Sequence, residues 1–217
     1  MCQSKTILFL AFFSILRTSA VSQIKCEQKI DKEGIQVFLC ESEGSPFKTI
    51  RVHFEAKTTL KQYAAGVLDV PNYPKWQTNT INPRILDIKN KKEMIYYCEI
   101  QTPWPIDNRD LVFHLTMNQD TTTKVLTVTL TQLPEFIPVK KDIIRIPKAQ
   151  STLTVTPIDK STVSVNYIIH IDPGGEIPAF IANLFSTQTP WATFKNYRDL
   201  LSKNTFTGSA IDFITNY

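Results

Sequence analysis

Glycine is scarce, with 6 residues in a chain of 217, and no low-complexity tract is present. That excludes a collagen-like, linker-rich or disordered chain. Histidine is scarcer still. His53, His114 and His170 are scattered and make no zinc-type spacing with the cysteines. No Gly-x-Ser-x-Gly elbow, His-Glu-x-x-His pair or phosphate loop occurs. No metal and no cofactor is therefore expected. Beyond Leu16 no segment approaches the roughly 20 apolar residues that a membrane helix needs. The basic run Lys89, Lys91 and Lys92 has no aromatic interleaving and reads as a solvated hairpin tip, which argues against nucleic acid as a partner.

The length favours one domain, and 42% hydrophobic residues can bury a sizeable core. Residues 1–22 stand apart. Lys5 precedes an apolar stretch from Thr6 to Leu16, and small residues follow at Ser19, Ala20 and Ser22. This is the architecture of a cleaved export signal, too short to span a bilayer. Residues 23–217 then form one domain, expected to be secreted or periplasmic. Loss of the signal removes Lys5 and Arg17 and lowers the formal charge of +4 by two, a mild balance. Cys26, Cys40 and Cys98 remain. Cys26 and Cys40 flank a short helix-like segment and the first strand, and either pair in an oxidising compartment or stay as free thiols. Cys98 suits a buried small apolar position.

Alternation of apolar and polar residues predicts strands at 35–39 and 49–56. Helical spacing predicts a helix over 58–68, capped by Thr58 or Thr59 and ended by Pro71 and Pro74. Further strands are expected at 81–89, 93–102, 110–119, 124–132, 149–158 and 162–172. The last third becomes helical, at 177–185 and about 191–201, with Pro190 as a break and a candidate hinge. This is an α+β chain with a strand-rich middle, and its final helix is the available cover for one sheet face.

Thr102-Pro103-Trp104-Pro105-Ile106-Asp107-Asn108-Arg109-Asp110 is the most distinctive run. Two prolines exclude it from a sheet interior. It reads as a rigid loop that locks Trp104, with Arg109 and Asp110 as a charged clasp. The run resembles the "PWP…RD" loop of START (StAR-related lipid-transfer) domains. Further stretches resemble that family in order: Gly34–Val37, Gly44–Lys48, Val67–Trp76, Leu133–Pro138 and Asp172–Pro178. Together they cover roughly residues 26–203. The resemblance implies a helix-grip fold, a curved antiparallel β-sheet wrapped around a long C-terminal α-helix.

One residue in two along each strand faces inward. The candidate inward sets are Met94, Tyr96, Cys98 and Ile100; Leu111, Phe113, Leu115 and Met117; Leu153 and Val155; and Val165, Tyr167, Ile169 and Ile171. Strand 124–132 is ambiguous. The helix offers Phe180, Ile181, Leu184 and Phe185. Periodicity does not separate a filled core from a cavity wall. The resemblance implies a lipid-sized cavity between sheet and helix, with these residues as its ligand-binding wall and the Tyr96 and Tyr167 hydroxyls as candidate head-group contacts.

Cholesterol-binding relatives carry a buried acid–arginine pair, with the arginine on the strand after this loop. That strand, Leu111 to Asn118, holds none. Glu99 and His114 fall on the opposite parity, and no cation is placed in the cavity, so a simple apolar ligand is expected. Arg109, Asp110 and Trp104 are read as structural, and Asp172 as a cap for the helix start. The expected function is binding, with possible shuttling, of a lipid or other hydrophobic ligand by a non-catalytic monomer in transient contact with membranes. The alternatives are a cyclase- or dehydratase-like enzyme using Tyr96, Tyr167 or His170, and a secreted interaction domain with a filled core.

Overall fold

The computed structural model describes residues 25–217 apart from 180, 181, 184 and 185. Its strands are β1 (Cys26–Lys32), β2 (Ile35–Ser42), β3 (Ser45–Lys57), β4 (Thr80–Asn90), β5 (Glu93–Ile100), β6 (Arg109–Gln119), β7 (Leu126–Gln132), β8 (Ile144–Arg145), β9 (Lys148–Asp159) and β10 (Thr162–Asp172). Helix α1 spans Leu60–Leu68 and helix α2 spans Gln188–Ser202. The strands form one curved sheet in the order β1-β2-β3-β10-β9-β7-β6-β5-β4, with β8 added in parallel beside β6. All other pairings are antiparallel.

Two-residue periodicity puts alternate side chains on the inner face. On β3 these are Ile50, Val52, Phe54 and Ala56; on β6 they are Leu111, Phe113, Leu115 and Met117. The ambiguous strand resolves to Leu126, Val128 and Leu130 inward. Helices α1 and α2 cover this face through Leu60, Tyr63, Ala64, Phe194, Tyr197 and Leu201. Thr59 caps α1, its side chain accepting from the Gln62 N–H at 3.2 Å. The result is the helix-grip architecture, an antiparallel sheet closed over by a C-terminal helix.

The outer face of β5 and β6 is buried as well. Ile95, Tyr97 and Val112 form a second apolar cluster with Leu86, Leu133 and Ile137. Glu99 faces this side, as its parity requires, yet it is only 4% exposed. Burial pushes its carboxyl up, and hydrogen bonds from Lys140, Asn82 and Tyr97 outweigh that and hold it below its ordinary value.

Several expectations need correction. The segment Cys26–Lys32 is a strand, because it pairs along β2 and places Cys26 opposite Cys40. The two cysteines form a disulfide. The α-helix ends at Leu68, before Pro71 and Pro74 as expected, and after Asp69 a separate 3₁₀-helix spans Val70–Lys75, with Pro71 in its first turn. Pro190 sits in the first turn of α2, where no N–H partner is needed, so it removes no helical hydrogen bond. The turn before α2 is at Ser186–Thr187. Asp172 caps a turn and not a helix, its Oδ1 accepting from the Gly174 N–H at 3.0 Å. The expected export signal at 1–22, and Phe180, Ile181, Leu184 and Phe185, lie outside the described residues.

Candidate functional site: an apolar cavity under the C-terminal helix

A cavity of about 400 Å³ lies between the inner face of the sheet and the helices. Of the expected wall residues, Tyr96, Cys98, Ile100, Leu111, Phe113, Leu115, Leu153, Tyr167, Ile169 and Ile171 line it. Met94, Met117, Val155 and Val165 do not. They are buried in the filled part of the core, beyond the cavity's reach. The inner face is thus a packed core over part of its area and a cavity wall over the rest.

One part of the cavity is aromatic, and of its rings only Tyr96 was expected in the wall. Trp76 and Tyr197 stack with centroids 4.3 Å apart, and Tyr63 meets Tyr197 edge-on at 5.0 Å. Tyr73 meets Tyr96 edge-on at 5.4 Å. Backbone carbonyls fix two of these rings. Tyr197 donates to the Tyr63 carbonyl at 2.5 Å and Tyr73 to the Val67 carbonyl at 2.6 Å. Gly66 makes room, since a Cβ there would sit 2.4 Å from the Tyr197 hydroxyl. Tyr63, Tyr73, Trp76 and Tyr197 come from α1, the following 3₁₀-helix and its C-cap, and α2, so no strand periodicity announces them.

The partly exposed residues Phe47, Lys48, Thr102, Ile106, Pro173 and Ile177 form the rim. The 102–108 loop is held internally. Thr102 donates its hydroxyl to the Ile106 carbonyl at 2.7 Å, and its N–H goes to Asn108 Oδ1 at 3.0 Å. Trp104 is not locked into the protein. Its side chain stands at the loop tip, 93% exposed. Flanking prolines fix the backbone but give the ring nothing to pack against.

The expected Arg109–Asp110 clasp is split. Neighbours on a strand point to opposite faces, and these two do. Asp110 pairs outward with Arg145, at 2.6 Å to Nε and 3.0 Å to Nη2, with both side chains nearly or fully buried. Arg145 also donates to the carbonyls of Pro134 and Ile137, tying down the loop after β7. Arg109 points the other way and lines the cavity, 3% exposed. It donates to its own loop through the Asp107 carbonyl. The cavity wall therefore contains two cations, Arg109 and Lys48, where none was expected. The parity that placed Leu111 and Phe113 inward also places Arg109 inward, and that of Ile50 and Val52 does the same for Lys48.

Four of the five buried side-chain polar atoms without a hydrogen-bond partner among the described residues belong to this lining: Tyr63 Oη, Trp76 Nε1, Thr78 Oγ1 and Arg109 Nε. Burial pushes the hydroxyls of Tyr63, Tyr73, Tyr96, Tyr167 and Tyr197 above their ordinary value, so they stay protonated donors. Burial pushes the Cys98 thiol up to about 12, which makes it a poor nucleophile. His170 lies off the cavity, bonded to Ser42 and Thr49 at 3.2 Å each.

The START domain profile matches residues 21–205. A protein of Pseudomonas aeruginosa described only as uncharacterised is 28% identical over 198 residues, 91% of this chain and 96% of its own. The phosphatidylcholine transfer protein of Rattus norvegicus is 22% identical over 173 residues, 77% of this chain and 79% of its own. The crystal structure of a STAR-related lipid transfer protein from Xanthomonas axonopodis superposes with a TM-score of 0.76 at 30% identity, covering 82% of this chain and 98% of that one. With that match over most of its length, and with a helix-grip sheet closed by a C-terminal helix, the chain belongs to the START domain family.

Proposed function

We propose that this protein binds one lipid or similar hydrophobic ligand in the cavity and carries it, as a monomer, between membranes. The observation that carries this reading is the cavity itself, whose wall is mostly Leu, Ile, Val and aromatic side chains. Moving an acyl chain from water into such a wall is worth about 0.8 kcal/mol per methylene. The names of the rat and Xanthomonas relatives, which describe lipid transfer, support a lipid as the cargo.

A non-catalytic role fits the chemistry of the wall. No carboxylate and no histidine occurs among its described residues, and those are the groups general acid–base work uses most. Tyr96 and Tyr167 serve as neutral donors in this reading.

The carrier works outside the cytosol. The signal architecture of residues 1–22 and the Cys26–Cys40 disulfide both favour an oxidising, exported compartment. The exposed Trp104, on a loop whose Ile106 forms part of the rim, provides the transient membrane contact, since tryptophan favours the membrane–water interface. Transfer of a fluorescent lipid between donor and acceptor vesicles tests the reading. Catalysed transfer in proportion to protein supports it, and buffer-level transfer with no lipid bound refutes it.

A further inference from the structure

Arg109 is the least expected member of the cavity wall. Arg109 is only 3% exposed, yet no carboxylate among the described residues lies within ion-pair distance of it. The one acid beside it in sequence, Asp110, is engaged by Arg145 on the other face. Its Nε has no partner, and a Cβ built on Gly175 would lie 3.6 Å from its Nη2, so the group sits under the Gly174–Gly175 turn just inside the rim. Lys48 lines the same cavity from β3, with its ammonium 3.7 Å from Glu41 and partly exposed. The lining thus carries two positive charges and no negative one. An enclosed cation without a counter-ion is costly. A guanidinium is also the side chain best shaped to grip a carboxylate or phosphate through paired hydrogen bonds.

We propose that the ligand is an anionic amphiphile, whose carboxylate or phosphate is held by Arg109 inside the rim while its apolar part fills the cavity toward Trp76 and Tyr197. Lys48 attracts the anion at the rim and Arg109 binds it. This rests on the cavity being a lipid site and adds the chemical class of the head group. It replaces the expectation of a simple apolar ligand. Burial lowers the Arg109 pKa from its ordinary value, opposed by Asp107, and arginine remains charged at neutral pH even so.

The test uses the delipidated protein titrated with cis-parinaric acid and with its methyl ester, followed by displacement of the bound probe with lysophosphatidic acid or with monoacylglycerol. The acid should bind about tenfold tighter than the ester or better, as one charge-assisted hydrogen-bond pair implies. R109Q should remove the preference, so that acid and ester bind with equal affinity. Stronger displacement by lysophosphatidic acid than by unlabelled fatty acid would assign the anion as phosphate, and the reverse as carboxylate; both support the proposal. Equal binding of acid and ester to the wild type, or an acid preference that survives R109Q, overturns it and leaves the lipid cavity standing. Binding of neither probe overturns the lipid cavity and the head-group assignment together. If R109Q does not fold, the acid-to-ester ratio of the wild type decides alone.

Discussion

Arg109 and Asp110 are adjacent in the chain and serve opposite faces of β6. Asp110 is locked to Arg145 in a two-point ion pair beneath the loop after β7, and Arg109 faces the cavity. A single peptide step thus separates a fold-holding contact from a ligand-facing one, because the pleat sends successive side chains to opposite sides.

The Asp110 side should behave as architecture. Replacing Asp110 with Asn leaves the Arg145 guanidinium buried and unpaired, with a cost of about 3–5 kcal/mol. Urea unfolding is expected to show this loss, and R145M should show a comparable one. A cost below about 1 kcal/mol for both would mean the pair does not hold the loop.

The cavity side should behave as free space. Leu153 lines the cavity, so Leu153→Phe grows into unfilled volume and escapes the usual overpacking cost of about 1–3 kcal/mol. The expected outcome is a near-unchanged thermal midpoint with lipid probe binding weakened about tenfold or more. Val155, 0% exposed and off the cavity, gives the contrast as Val155→Phe. Equal destabilisation by both would mean the cavity is not available to a ligand.

How much of this was legible beforehand depended on which residues carried a period. The alternation along 110–119 placed Leu111, Phe113, Leu115 and Met117 inward, and the structure agrees. The same alternation carried two residues further back reaches Arg109, which was assigned to the loop and therefore to a clasp. Periodicity also had no means to tell Phe113, on the cavity wall, from Met117, in filled core, since both are buried apolar residues of one parity. Tyr63, Trp76 and Tyr197 meet only in three dimensions, from segments more than a hundred residues apart at the extremes. Cys26–Lys32 looked helical because its outward edge-strand position leaves it polar and mostly exposed, without the buried face that marks a strand.

Trp104 should matter for membranes and not for folding. With its ring in solvent, Trp104→Ala is expected to change stability by less than about 0.5 kcal/mol. Its effect should appear as slower lipid transfer between vesicles and weaker co-sedimentation with them. Unchanged transfer would remove the loop from the account of membrane contact.

The Cys26–Cys40 bridge closes a loop with a sequence separation of 14. For a loop near that length the chain-entropy estimate is about 3 kcal/mol. Cys40→Ser, or unfolding under dithiothreitol, should lower stability by that order and leave ligand affinity nearly unchanged, since neither cysteine lines the cavity. An unchanged denaturation midpoint on reduction would show that the bridge contributes nothing to stability.

The central claim is that the cavity holds a lipid. The most direct measurement is native and denaturing mass spectrometry of the protein purified from its own compartment. The account predicts an added mass under native conditions, released on denaturation and identified as one lipid molecule per chain. A clean unliganded mass, with no uptake from a total lipid extract, would contradict it.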